Sequence, residues 1–176
     1  MAAVSRSRRG IAGIVFIVAG ALLALAVILP LLGVGGAPWL VGLAFAAIAV
    51  AFAILGFGAV NSTLAKVALI AAAIGWILLA INAIGVALPG VLVTIAALVA
   101  GIAGLIGAIV LYVGKEVRNT PALVFIATTV LGLLYLLGVL GTIAFGTLGT
   151  VIAILFAAGL IITGVLFYQR ENGRRG

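Results

Sequence analysis

The sequence predicts an all-α, polytopic membrane protein, a bundle of six transmembrane helices that reads as three tandem helical hairpins. Three observations carry this. Of 176 residues, 68% are hydrophobic and only 6% charged, with a mean hydropathy of +1.61. A soluble domain carries roughly a quarter of its residues charged, so lipid must be the solvent for most of this chain. Six apolar stretches reach the roughly 20 residues a helix needs to cross a hydrocarbon core. Finally, the segments flanking and joining them alternate strictly between charged and uncharged. Disorder is excluded, because disordered chains are polar and proline-rich.

Taken in order, the first span (11–32) follows a basic tail (1–10) and stops at Pro30 and the glycines Gly33, Gly35 and Gly36. Its apolar run is too long for a signal-peptide core and no A-x-A site follows, so it is expected to be retained. The second span (38–60) opens at Pro38 and ends before Asn61-Ser62-Thr63; the third (64–87) stops at Leu88-Pro89-Gly90. The fourth (91–113) runs to Gly114-Lys115-Glu116, and the fifth (121–140) begins at Pro121, a favourable first-turn residue. The sixth (148–168) precedes a second basic tail (169–176), and the uncharged break at 141–147 is what separates it from the fifth. The transmembrane domain is thus expected over 11–168.

Orientation follows from the charges. Arg6, Arg8 and Arg9, then Lys66, then Lys115 and Arg118, then Arg170, Arg174 and Arg175 all fall on one side of six spans, which the positive-inside bias makes cytoplasmic. Both termini are therefore expected in the cytoplasm. The Ala/Gly/Val-rich composition further suggests a bacterial cell membrane. The formal charge of +7 does not point to nucleic acid, since the cations sit at span ends without interleaved aromatics. Their expected partner is the lipid bilayer, with anionic headgroups near Arg6, Arg8, Arg9, Arg170, Arg174 and Arg175. Trp39, Tyr112 and Tyr168 fall at span ends, where amphipathic rings prefer to sit.

The missing residues exclude most catalysis. With no Cys and no His, thiol chemistry, disulfides and His/Cys zinc sites are impossible. No metal or cofactor is expected. No ionisable side chain lies inside a span beyond its ends, so a buried proton relay is not available. Ser5, Ser7 and Ser62, the only serines, lie outside the spans, and no glycine loop carries the Lys-Ser/Thr of a phosphate site. Glu116 and Glu171 each adjoin a cation at the membrane border and read as surface ion pairs. The chain is not expected to be an enzyme.

The intramembrane polar residues are the candidate site. Asn82 must find a partner in hydrocarbon; Thr94, equally far from Leu88 in the intervening turn, is the expected one, with Trp76 nearby. Thr128, Thr129, Tyr135 and Thr163 form a second set in the last hairpin. These groups are expected to hold helices together; the alternative is that they line a cavity for a neutral or apolar solute. Rows of small residues (Gly42, Ala46, Ala49, Ala53; Ala68, Ala72, Gly75; Ala97, Gly101, Gly104, Ala108) are expected to pack helices internally, the alternative being a homo-oligomer or partner-subunit surface.

Gly104-Leu105-Ile106, Val110-Leu111-Tyr112 and Lys115-Glu116 recur as Gly159-Leu160-Ile161, Val165-Leu166-Phe167 and Arg170-Glu171, at a constant offset of 55. This points to a repeated hairpin. Six spans in so short a chain resemble the substrate-binding subunits of energy-coupling-factor vitamin transporters. Three such hairpins, with the stretch Gly13-Ile14-Val15-Phe16-Ile17-Val18-Ala19-Gly20, are similar in outline to HdeD-like acid-resistance membrane proteins. Neither likeness assigns a role to a residue. The expectation is a non-catalytic scaffold, stress-related factor or accessory subunit; the alternative is a solute-binding component of a transporter.

Overall fold

The computed structural model describes residues 2–117 and 119–172, apart from the side chains of residues 2–6 and 170–172. Among these residues it is all-helical, with six α-helices: α1 (Ala2–Leu31), α2 (Pro38–Gly58), α3 (Thr63–Ala83), α4 (Gly90–Val113), α5 (Thr120–Val139) and α6 (Thr147–Asn172). The shortest has 20 residues, which at 1.5 Å per residue spans about 30 Å. All six are long and apolar enough to cross a membrane. Arg118, Arg174 and Arg175, with the side chains of Arg6, Arg170 and Glu171, lie outside the described residues.

The starts and stops have local causes. Pro38 and Pro121 occupy first-turn positions of α2 and α5, where a missing N–H costs nothing. Ser62 caps α3, its hydroxyl accepting from the Ala65 N–H at 3.4 Å. α3 stops at Ala83, four residues before the apolar run does. There Gly85 takes φ +104°, a conformation that favours glycine. The Gly85 N–H turns back to the Asn82 carbonyl and that of Val86 to the Ile81 carbonyl, each at 3.2 Å, the paired bonds of a Schellman motif. α1 and α6 instead run beyond the expected spans into the basic tails.

Each helix packs against its neighbours in sequence, and α1 packs against α6, closing the six into a ring. One end of the ring carries the start of α1 and the end of α6, with Arg8, Arg9, Lys66, Lys115 and Glu116; it is called the basic end. The uncharged turns after α1, α3 and α5 make the neutral end.

The α1–α6 contact has no short turn to enforce it, and it rests on small residues. A Cβ added at Gly13 would lie 2.6 Å from the Gly164 carbonyl oxygen, and one at Gly20 would lie 2.7 Å from that of Ala157. Gly13 and Gly20 are seven apart, as are Ala157 and Gly164, so two antiparallel helices meet backbone to backbone at two levels. Ile17 lies against Gly164 and Ile161 against Gly20, so the larger side chains interlock between these levels. Such close approach maximises dispersion contact where lipid supplies no hydrophobic drive.

The ring's interior is filled by two aromatic layers. Toward the basic end Phe16, Phe52, Phe125 and Phe167 meet with centroids 5.6–6.3 Å apart. Toward the neutral end Phe45, Trp76, Tyr135 and Phe156 do the same at 5.1–6.2 Å. Both layers have separations typical of favourable ring pairs. Large apolar side chains such as Ile14, Val50, Ile74, Ile102 and Ile162 point outward and are about half exposed, as lipid-facing residues should be.

The small-residue rows lie mainly inside this ring. Ala68, Ala72, Gly75, Ala97, Gly101, Gly104 and Ala108 are buried, as are Gly42 and Ala49; Ala46 and Ala53 are half-buried. The 55-residue recurrence has a counterpart in contact. Gly104 packs on Ala72, and Gly159, 55 residues on, packs on Thr128, which is 56 residues beyond Ala72. The second and third hairpins therefore close at matched positions.

Replacing Gly164 by Leu should drive a side chain into the α1 backbone and destabilise the bundle by about 2–3 kcal/mol, the upper range for overpacking. Gly35→Ala, at a position facing open space, should leave it nearly unchanged. Thermal unfolding of both variants in the same detergent micelle checks the contrast.

Candidate functional site

At the basic end two charged side chains tie three separate parts of the chain together. The Arg9 Nε–H donates to the Ala59 carbonyl at 2.7 Å, and its Nη1 donates to the Glu116 carbonyl at 3.0 Å. The Glu116 carboxylate accepts from the backbone N–H groups of Asn61 at 2.6 Å and Ser62 at 2.7 Å. A cation thus sits at the C-terminus of α2 and an anion at the N-terminus of α3, each favoured by the helix dipole. All but the Arg9–Glu116 bond are short, as charge-assisted bonds are.

Glu116 reaches α3 because its own turn is bent to present it. Lys115 (φ 53°) and Asn119 (φ 47°) both adopt positive-φ backbone conformations, costly for residues with a Cβ. Among the described residues the Glu116 carboxylate serves the backbone of another turn, where a surface ion pair was expected. Nothing in the sequence signalled this reach: α3 has no acidic residue in its first turn, but neither do the other helices.

The first intramembrane set does not assemble. Asn82 Oδ1 accepts from the Leu88 N–H at 3.3 Å, pinning the turn after α3. Thr94 is exposed, and its hydroxyl donates to the Gly90 carbonyl of its own helix at 3.0 Å. Both residues have found a local backbone partner, so the expected Asn82–Thr94 bond is replaced. Trp76 lies apart from them, almost fully buried between Phe45 and Phe156. Its Nε1 has no hydrogen-bond partner.

The second set is partly brought together. The Thr128 hydroxyl donates to the Val124 carbonyl at 2.8 Å, so the 3.0 Å contact between Thr128 and Thr163 takes its proton from Thr163. Thr163 is fully buried, and this bond joins α5 to α6 where Gly159 lets them approach. Thr129 bonds the Ile126 carbonyl of its own helix at 2.8 Å. Tyr135 belongs to the neutral-end aromatic layer.

Two spaces remain beside these residues. On the axis, between the aromatic layers, a cavity of about 10 Å³ is bounded by Trp76, Thr128, Thr129 and Phe156 among others, roughly the room of one water molecule. At the neutral end a partly open crevice of about 470 Å³ lies between α1, α5, the α5–α6 turn and α6. Among the described residues no group of three His, Cys, Asp or Glu side chains is placed to hold a metal.

Fold and site together define a multi-pass membrane protein with a packed interior and a hydrogen-bonded anchor at one end. No known protein family, no curated protein and no solved structure matches the chain.

Removing the anchor should be costly. Glu116→Ala strips two N–H groups of a charged acceptor and should destabilise by about 1.5–3 kcal/mol, the range for hydrogen bonds to charged groups. Glu116→Gln keeps one acceptor oxygen and should lose about half as much. Chemical or thermal unfolding of the two variants in detergent gives the ranking.

Proposed function

We propose that this chain is a non-catalytic integral membrane protein of the bacterial cytoplasmic membrane, acting as a scaffold or accessory subunit. The observation that carries the reading is the filled axis: two aromatic layers close the ring, and the space between them holds about 10 Å³. A transport path needs polar or hydrated lining through the bilayer. Here the polar groups of the last hairpin are spent largely on each other or on their own helices. Asn82 and Thr94, the groups that motivated a solute-binding reading, are bonded to nearby backbone.

The orientation belongs to the same proposal. The basic end faces the cytoplasm, with Arg8, Arg9, Lys66 and Lys115 near anionic headgroups, and the neutral turns face outward. The anchor of Arg9 and Glu116 then lies on the cytoplasmic side, where it holds the first helix and two turns in a fixed mutual position. That gives a partner a rigid surface.

Two measurements test the reading. Proteoliposomes should swell in glycerol or urea gradients no faster than protein-free vesicles; accelerated swelling would establish a solute path and contradict it. Because the chain has no cysteine, single substitutions Ser62→Cys and Thr142→Cys report topology cleanly. An impermeant maleimide should label the second in intact cells and the first only after permeabilisation. The reverse pattern would invert the proposed orientation.

A further inference from the structure

The crevice at the neutral end is far larger than the axial cavity, and its walls differ in kind. Its volume of about 470 Å³ falls within the usual range for small-molecule sites. Its lining includes Val27 of α1, Tyr135 and Gly138 of α5, Phe145 of the turn, and Gly149 and Thr150 of α6. No charged residue lines it, so an ionic ligand would be desolvated there without a counter-charge. Glycines keep the walls bare. Phe145 lies across Gly138, where an added Cβ would stand 3.1 Å from its ring, so the turn folds over part of the opening.

Tyr135 gives the site direction. Its ring is held by Phe45 (centroids 6.2 Å) and Phe156 (5.7 Å), which fixes where the side chain can lie. Among the described residues no hydrogen bond engages its hydroxyl or that of Thr150. Tyr135 is half-buried, and a hydroxyl left unbonded beside open space takes its partner from that space. The space that Tyr135 lines is this crevice.

We propose that the crevice is a binding site for a small uncharged amphiphile, an apolar body bearing one hydroxyl or carbonyl group that bonds Tyr135. The apolar walls take the body, the absence of charge selects against ions, and the two hydroxyls orient the polar group. This goes beyond the scaffold reading and does not depend on it, since a ligand held at one end needs no path through the axis.

The test uses the full-length protein in nanodiscs with a photoactivatable diazirine analogue of 1-octanol, followed by peptide mapping. Labelling should be saturable, concentrated on the α5–α6 turn and its flanking helix ends, and displaced by unlabelled 1-octanol. Tyr135→Phe retains the ring contacts and should weaken binding by roughly three- to tenfold, the worth of one hydrogen bond. Thr150→Trp should fill the crevice and abolish saturable labelling, with unfolding temperature checked for both variants. Labelling spread evenly over lipid-facing positions such as Val91 and Val113 overturns the proposal. So does displacement by added phospholipid but not by 1-octanol, or binding unchanged in a folded Tyr135→Phe variant.

Discussion

The contact between the first and last helices is the constraint on which the rest of the bundle depends. Five of the six interhelix contacts in the ring are enforced by short turns; the sixth, α1 against α6, is held among the described residues by packing. It exists because Gly13, Gly20, Ala157 and Gly164 let two backbones meet directly. Phe16 on α1 and Phe167 on α6 sit across this seam and contact each other, and both contact Phe125. If the seam opened, the basic-end aromatic layer would lose its enclosure. In lipid, where apolar side chains gain nothing by hiding from solvent, packing density is what keeps such a ring closed.

The polar interactions are arranged to support this packing without burying charge. Charged groups are confined to the basic end, where Arg9 and Glu116 meet backbone groups that helix termini leave unpaired. Within the bilayer Thr94, Thr128 and Thr129 bond their own helices, and among the described residues one interhelical link is made, Thr128 to Thr163. Such a link contributes on the order of 1 kcal/mol in a membrane. The backbone approach at Gly159 that permits it matters as much as the bond.

Much of this architecture was legible in the residues. The six helices follow from apolar run length and from the alternation of charged and uncharged turns, including the charge-free turn between α5 and α6. The burial of most of the small-residue rows followed from spacing. What spacing cannot report is rotation about a helix axis relative to a helix elsewhere in the chain. Asn82 and Thr94 are equally far from Leu88 in their turn, whereas Thr128 and Thr163 are unequally placed about theirs, yet only the second pair meets. Thr128 and Thr163 face each other across a small-residue contact, while Thr94 turns outward. The α1–α6 seam and the reach of Glu116 to α3 were hidden for the same reason: both join segments more than 50 residues apart, whose register is set only when the ring closes.

The closed ring is tested most directly by crosslinking α1 to α6. Ile17 and Ile161 lie at the same level of the seam, each against a glycine of the opposite helix, and the native chain has no cysteine to confuse the result. The double variant Ile17→Cys/Ile161→Cys should form an intramolecular disulfide on mild oxidation in native membranes. Its control is Ala72→Cys/Gly104→Cys within the second hairpin, where the native Ala72 Cβ and a Cβ built at Gly104 are 3.8 Å apart, a separation suited to a disulfide. A control pair that crosslinks while the α1–α6 pair does not, or bridges only between two chains, would contradict the closed ring.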